Sequence, residues 1–188
     1  LFTNNIAYVQ IGFDALSIPL DKIPYLSLVG KLVLGMGTRR HSYMEISQLL
    51  GIHTGGLRSW HFTSAEINDH KSILSRIFFS GKALMENLDH LFDIWEELIQ
   101  EHDFNNPKRL IEIIKSSKAD MEDSILSSGN HYVLSRLNSY KSPLGQYNEL
   151  SGGISYYKFL EKLLEHAEKN PNEVAEKFRN IAQSLFTK

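Results

Sequence analysis

The sequence predicts an α+β fold: an antiparallel or mixed sheet covered by helices, followed by a long helical C-terminal part. Three observations carry this expectation. Residues 6–14, 57–64 and 71–79 alternate with the period of a strand and are rich in β-branched and aromatic residues. Between the first two strands lies a helical pattern that is apolar almost all the way round, Ile23 to Met36, followed by a second helix with its own start signal. From Phe104 to the end, nearly every stretch repeats its apolar residues at helical spacing. The expected organisation is one domain over 1–188, with the sheet and first helices in 1–103 and the helical part in 104–188.

In the first strand Ala7, Val9, Ile11 and Phe13 alternate with Ile6, Tyr8, Gln10 and Gly12. Two largely apolar faces predict a central strand. Leu16 to Leu20 reads as a linker, with Asp21 as candidate N-cap and Pro24 in the first helical turn. Ile23, Leu26, Val29, Val33 and Met36 line one side of that helix and Leu28 and Leu32 another, so the helix is expected to be buried. Gly35 and Gly37 end it. Ser42 and Glu45 form a capping box for a helix with Met44, Ile46, Leu49 and Leu50 as apolar positions, and Gly51 is expected to stop it.

Gly55 and Gly56 then turn the chain into a half-exposed strand, 57–64, with Trp60 and Phe62 on one face; such aromatics are more often core than ligand contacts. Glu66 to His70 is a polar turn, and Lys71 to Phe79 should complete an antiparallel hairpin. Gly81 hands over to a helix with the stripe Leu84, Leu88, Leu91, Trp95 and Leu98, widened by Phe92 and Ile99. Asn106 and Pro107 open a helix to about Ser127, with Leu110, Ile114, Met121 and Ile125 as core positions. Gly129 interrupts it, and His131 to Tyr140 continues with Leu134 and Leu137. Ser142-Pro143-Leu144-Gly145 reads as a loop. Helices 154–167, using Phe159, Leu160, Leu163 and Leu164, and 171 onward, using Val174, Phe178, Ile181 and Leu185, finish the chain.

Composition narrows the function classes. The chain has 188 residues, 42% hydrophobic and 22% charged, enough for a real core. A net charge of -2 gives no reason to invoke nucleic acid or an anionic membrane, and aromatics are not interleaved with basic residues. The absence of cysteine rules out disulfides and thiolate metal sites. No apolar run approaches the ~20 residues of a membrane helix. The chain opens Leu1-Phe2-Thr3-Asn4-Asn5 with neither methionine nor a signal-peptide pattern, as expected of an excised or processed piece.

Several short motifs occur together. Pro24-Tyr25-Leu26, Gly37-Thr38, Tyr43-Met44-Glu45-Ile46-Ser47-Gln48 and Thr54-Gly55-Gly56-Leu57 resemble the presequence-protease branch of the pitrilysin/insulinase zinc metallopeptidases. The match is to the first domain of their second, non-catalytic half. It continues more weakly through Arg136-Leu137 and Gly152-Gly153-Ile154 to Phe159-Leu160. The resemblance implies a pitrilysin-like fold in which two bowl-shaped halves enclose a chamber, with zinc in the other half. It implies as partners the catalytic half of the same polypeptide and a peptide enclosed between the halves. It also implies one more strand after the last helix, so with Lys188 as its end the sheet is expected to be incomplete, or finished by a partner such as a second copy. Bacterial cytoplasm and organelle lumen both fit the family.

In the catalytic half of that family a helix carries H-x-x-E-H shortly before a G-[ST] turn. Two histidines four residues apart bind zinc from one helical face and the glutamate is the general base. Laid back from Gly37-Thr38, the pattern falls on Leu28, Lys31 and Leu32, which can do neither. None of the eight histidines fits a zinc-peptidase motif. His41 has Glu45 four residues on, a surface contact at most. Arg39-Arg40-His41 reads as a solvated turn, and His90 with Asp93, and His102 beside Leu98, as solvated helix faces. The glycine pairs 55–56 and 152–153 are too short for phosphate cradles, and no G-x-S-x-G or cysteine nucleophile occurs. The family's arginine–tyrosine pair, which helps hold the substrate carbonyl, has no matching position. The expectation is therefore no catalytic, cofactor-binding or metal residue in this chain, and zinc only in the other half of a parent peptidase. A scaffold subunit of the same fold, without peptidase activity, is the alternative. The resemblance further implies that the edge strand 57–64, like its counterpart in the catalytic half, is a place for strand addition.

Overall fold

The computed structural model describes residues 4–69 and 72–186. In chain order it has β1 (Ile6–Asp14), α1 (Ile23–Gly35), α2 (Tyr43–His53), β2 (Leu57–Ala65), β3 (Ile73–Leu84), α3 (Leu88–Gln100), α4 (Pro107–Ser127), α5 (Gly129–Ser139), α6 (Pro143–Gly152), α7 (Ile154–Lys169) and α8 (Pro171–Phe186). The fold is α+β. The sheet is antiparallel throughout, with strand order β1-β3-β2.

That order corrects the reading of β1 as a central strand. β3 is central and β1 is an edge, because the 12-residue β3 is long enough to pair along both sides. Only one side of β1 is covered: Val9 and Ile11 pack near Leu91 and Trp95, whereas Tyr8 on the other face is 68% exposed. Gly12 leaves room for a neighbour, since a Cβ there would lie 2.6 Å from the Phe78 ring.

β3 also runs further than expected. Lys71, its expected first residue, and His70 of the expected turn lie outside the described residues. At the other end Gly81 does not release the chain into a helix. It sits inside the strand, where its bare backbone lets Leu57, Leu91 and Trp95 close over it. Leu84 is consequently the last strand residue and half-exposed rather than the first rung of α3. Leu91, Trp95 and Leu98 form the buried stripe of α3; Phe92 faces solvent.

Asp21 is not a cap. It lies in a 3-10 turn, Leu20–Lys22, and α1 starts behind Lys22 with Pro24 in its first turn. The capping box of α2 is present: Ser42 N donates to Glu45 Oε2 at 2.8 Å and Glu45 N to Ser42 Oγ at 3.4 Å. The helix then passes through Gly51, whose position is open to solvent, and stops at Thr54, whose hydroxyl donates to the Leu50 carbonyl at 2.8 Å. Of its four apolar positions only Ile46 is fully buried and Met44 is exposed. The expected loop 142–145 instead begins α6. Ser142 accepts from Gly145 N at 3.0 Å and Pro143 takes the first turn, a start signal like that of Asn106 and Pro107 at α4. In α5, Tyr132 is the buried residue, and Leu134, Leu137 and Tyr140 face out.

α1 is the hub. Ile23, Leu26, Leu28, Val29, Leu32 and Val33 are all buried, and the cluster around them reaches from Ile77 and Phe79 of the sheet to Leu160, Phe178 and Leu185. The helix is covered round most of its circumference, with Lys31 left exposed. Among the described residues the sheet is covered on one face only. α1 meets it at Ser59 through Gly30, α3 at Gly81 through Leu91 and Trp95, α6 at Ser75 through Tyr147, and α8 at Phe13 and Phe79 through Phe186.

Candidate functional site

Leu28 and Leu32, where the resemblance places metal-binding imidazoles, are completely buried in the α1 core. Their aliphatic carbons offer no lone pair, and nothing at either position fits a zinc ion. Lys31 points away from both, toward α4. Its Nζ lies 3.3 Å from Asp120 Oδ2 and 3.3 Å from Ser117 Oγ. Among the described residues, no three His, Asp or Glu side chains come together as a metal cluster.

The turn after α1 is tied to α3. Gly37 has φ of +92°, a conformation that favours glycine, and a Cβ there would meet the backbone of Tyr43 and His41. The turn brings Thr38 and His41 onto Glu97, a buried carboxylate. His41 Nδ1 lies 2.9 and 3.1 Å from its two oxygens, and the Thr38 hydroxyl donates to Oε1. Arg40 pairs with Glu101, the residue that follows α3. The basic run is solvated, with Arg39 and Arg40 exposed, but it also clamps the end of α3, and His41 bonds Glu97, not Glu45. His90 and His102 likewise have partners: His90 stacks on His53 with centroids 4.1 Å apart, and His102 Nδ1 lies 2.9 Å from the Ile99 carbonyl.

A hydroxyl–imidazole group lies beneath β2. His61 Nε2 is 2.8 Å from Ser75 Oγ, which is 2.6 Å from the Tyr147 hydroxyl. Burial pushes the His61 pKa down to about 4, so its ring is neutral at physiological pH. Burial also raises the Tyr147 hydroxyl above its usual range, opposed by its bond to Ser75. Serine beside a neutral histidine is the composition of a nucleophile and its base, but Ser75 is 1% exposed and Tyr147 5%. A carbonyl has no access to that hydroxyl, so the group serves packing. A second buried group joins the helices: Glu149, 3% exposed, accepts from Arg136 at 3.0 Å and from Ser155 N at 2.9 Å, packed against Gly153, which has no room for a side chain.

The uncovered sheet face carries the aromatic cluster. Trp60 stacks on Phe78 with centroids 4.7 Å apart, Phe62 meets both edge-on, and Trp60 and Phe62 are 38% and 39% exposed. These aromatics are surface, not core. Arg58, Arg76 and Lys82 share their face, and Arg58 Nε donates to Ser80 Oγ at 3.0 Å. Sequence periodicity marks this face as aromatic; it carries no sign that helices leave it bare. Glu97 and Tyr147 escape sequence reasoning because their partners are distant in the chain, and Glu149 because its partners, Arg136 and Ser155, lie on the neighbouring helices. Their only sequence signal is a polar residue at a core-facing helical position.

The model of the family described as Peptidase M-16C associated matches residues 1–163. The chain belongs to this peptidase-associated family. The family member described here is 29% identical over 188 residues to Presequence protease 1, chloroplastic/mitochondrial, of Arabidopsis thaliana, covering 100% of this chain and 17% of that protein. It is 27% identical over 186 residues to Protein HypA of Clostridium perfringens, covering 99% and 19%. To the mitochondrial presequence protease of Saccharomyces cerevisiae it is 28% identical over 190 residues, covering 97% and 19%. This peptidase-associated chain therefore spans less than a fifth of the length of these relatives. No helix among its described residues is long and apolar enough to cross a membrane.

Proposed function

We propose that this chain is a non-catalytic, chamber-forming domain of a zinc-dependent endopeptidase that degrades peptides, with zinc and general base held in another part of the same polypeptide. The observation that carries the reading is the burial of Leu28 and Leu32, side chains without lone pairs, where the catalytic half of the family has its ligands. Family membership and relatives named as presequence proteases supply the activity assigned to the parent. The one-sided sheet supports the architectural part. A face with exposed Trp60 and Phe62 beside Arg58, Arg76 and Lys82 suits a chamber wall or a contact between halves. The continuous core from the sheet to α8 supports reading 1–188 as one domain. The relatives named for mitochondria and chloroplasts make an organelle lumen the natural compartment for an organellar parent, and the Clostridium relative keeps a bacterial one equally in view.

Zinc titration decides the central point. The full-length parent should bind zinc and cut peptides in a manner EDTA abolishes, whereas the 188-residue chain should do neither. Stoichiometric, tight zinc binding by side chains of this chain alone would overturn the proposal. A parent polypeptide with no H-x-x-E-H anywhere would leave the scaffold role instead.

A further inference from the structure

A polar cavity of about 590 Å³ lies between β2, α1, α5 and α6. Ser27, His61, Thr63, Ser135, Asn138 and Asn148 contribute to its wall, and among the described residues no Asp, Glu, Lys or Arg does. Arg136, on α5 beside the lining residue Ser135, pairs with Glu149 at 3.0 Å and also donates to Ser155 Oγ at 2.9 Å. Inside, the Thr63 hydroxyl donates to Asn148 Oδ1 at 2.6 Å, which leaves the Asn148 amide N–H groups as donors and the Thr63 oxygen as an acceptor. Ser27 is occupied by the Ser151 carbonyl at 2.5 Å. His131 also lines the cavity. A donor and an acceptor side by side, in a wall without carboxylate, ammonium or guanidinium groups, match a carboxamide or a hydroxyl.

The cavity borders β2. β2 pairs only with β3 among the described residues. A peptide added to the other side of β2 would place alternate side chains on the face shared by His61 and Thr63, over the cavity. Its volume is in the range of about 300–1,000 Å³ found for small-ligand sites, ample for one side chain and its flanking backbone. A charged side chain would lose its hydration there and meet no Asp, Glu, Lys or Arg in the wall.

We propose that this cavity is a side-chain pocket for an extended peptide lying along the edge of β2 away from β3, and that it selects an uncharged hydrogen-bonding side chain: Asn, Gln, Ser or Thr. The proposal rests on the peptide-handling role above and adds to it a location and a preference.

The experiment uses the full-length parent treated with EDTA, so that no peptide is cut. Fluorescein-labelled extended peptides differing at one central guest position are titrated by fluorescence anisotropy. A Gln guest should bind about three- to ten-fold tighter than Ala, the worth of one or two net hydrogen bonds, and Lys and Glu guests weaker than Ala. Asn148→Leu should erase the Gln preference. Ser135→Trp, which fills the cavity from α5 without touching the Thr63–Asn148 bond, should weaken the Gln guest most and remove its preference over Ala. Equal affinity for all guests, no binding of any peptide, or an unchanged Gln preference in Ser135→Trp with a wild-type melting temperature would overturn the pocket. Ser135→Trp decides if Asn148→Leu does not fold. A peptidase assay on the untreated protein separates the two readings. Cleavage with no guest discrimination removes the pocket alone, and guest discrimination with no cleavage removes the peptidase reading alone.

Discussion

Gly30 of α1 lies directly against Ser59 of β2: a Cβ on Gly30 would stand 2.5 Å from the Ser59 hydroxyl and 2.7 Å from its Cβ. This contact seats the most buried helix on the sheet. Two effects oppose each other in Gly30→Ala. Helix propensity favours alanine by about 1 kcal/mol, whereas overpacking against a β-carbon fixed by the strand costs about 1–3 kcal/mol. The overlap wins because Ser59 cannot swing its Cβ aside. Gly30→Ala should lower stability by a net of up to about 2 kcal/mol, and Gly30→Ala/Ser59→Gly should be more stable than the sum of the single changes. Denaturant midpoints of the three variants check this; a Gly30→Ala protein at or above wild-type stability would show that the contact is loose.

His61 gives the fold a pH dependence whose sign follows from its burial. In the unfolded chain the ring takes a proton near 6.5; in the folded protein it does so only at about 4. Between those values the unfolded state binds more protons, so stability falls as pH drops from about 6.5 to about 4 and this group costs nothing further below that. The gap amounts to on the order of 3 kcal/mol. His102, also lowered chiefly by burial and partly restored by the Ile99 carbonyl, acts in the same direction. His61→Gln keeps a partner for Ser75 and cannot titrate. Urea unfolding at about pH 7 and about pH 4.5 should show the variant losing less stability than wild type on acidification, and identical losses would contradict the assignment.

Local signals predict local structure well. Asn106-Pro107 and Ser42 with Glu45 set the starts of α4 and α2, because caps and first-turn prolines act within a few residues. Sheet order is not readable in the same way: β1 pairs with β3 from Ile6 against Leu84 to Asp14 against Arg76, and the alternation of Ala7 to Phe13 is the same on an edge as in the centre. Gly81 misleads because a glycine that breaks a strand and one that admits Leu91 and Trp95 against the backbone look alike in sequence. At the candidate site, Leu28, Lys31 and Leu32 are legible through their fixed offset from Gly37-Thr38. Glu97 is not, since its bond to His41 spans 56 residues.

That bond permits a choice between two partners. The spacing of His41 and Glu45 suggests a helical pair, yet Glu45 is committed to Ser42 and the His41 ring faces Glu97. Glu97 is 9% exposed, so removing His41 strips a buried carboxylate of one of its two partners, worth about 1–3 kcal/mol. A double-mutant cycle of His41→Ala with Glu97→Gln should give a coupling of that size, and the cycle with Glu45→Gln should give nearly none. A larger coupling to Glu45 would place the imidazole elsewhere in solution.

Lys31 and Leu32 are neighbours in sequence with opposite surroundings, and this separates a lost metal site from a retained core. Leu32 is fully buried, so Leu32→Ala should cost about 2–5 kcal/mol. Lys31 holds Asp120 at 3.3 Å with the two side chains 49% and 65% exposed, and Lys31→Glu should cost no more than about 1 kcal/mol. Restoring the acidic residue of the zinc motif in this way supplies a carboxylate but no ligands beside it, because positions 28 and 32 remain leucine. Elemental analysis should therefore find the same zinc content in Lys31→Glu and wild-type full-length protein. Extra zinc in the variant would mean that α1 can turn a metal-binding face outward, which the burial of Leu28 and Leu32 opposes.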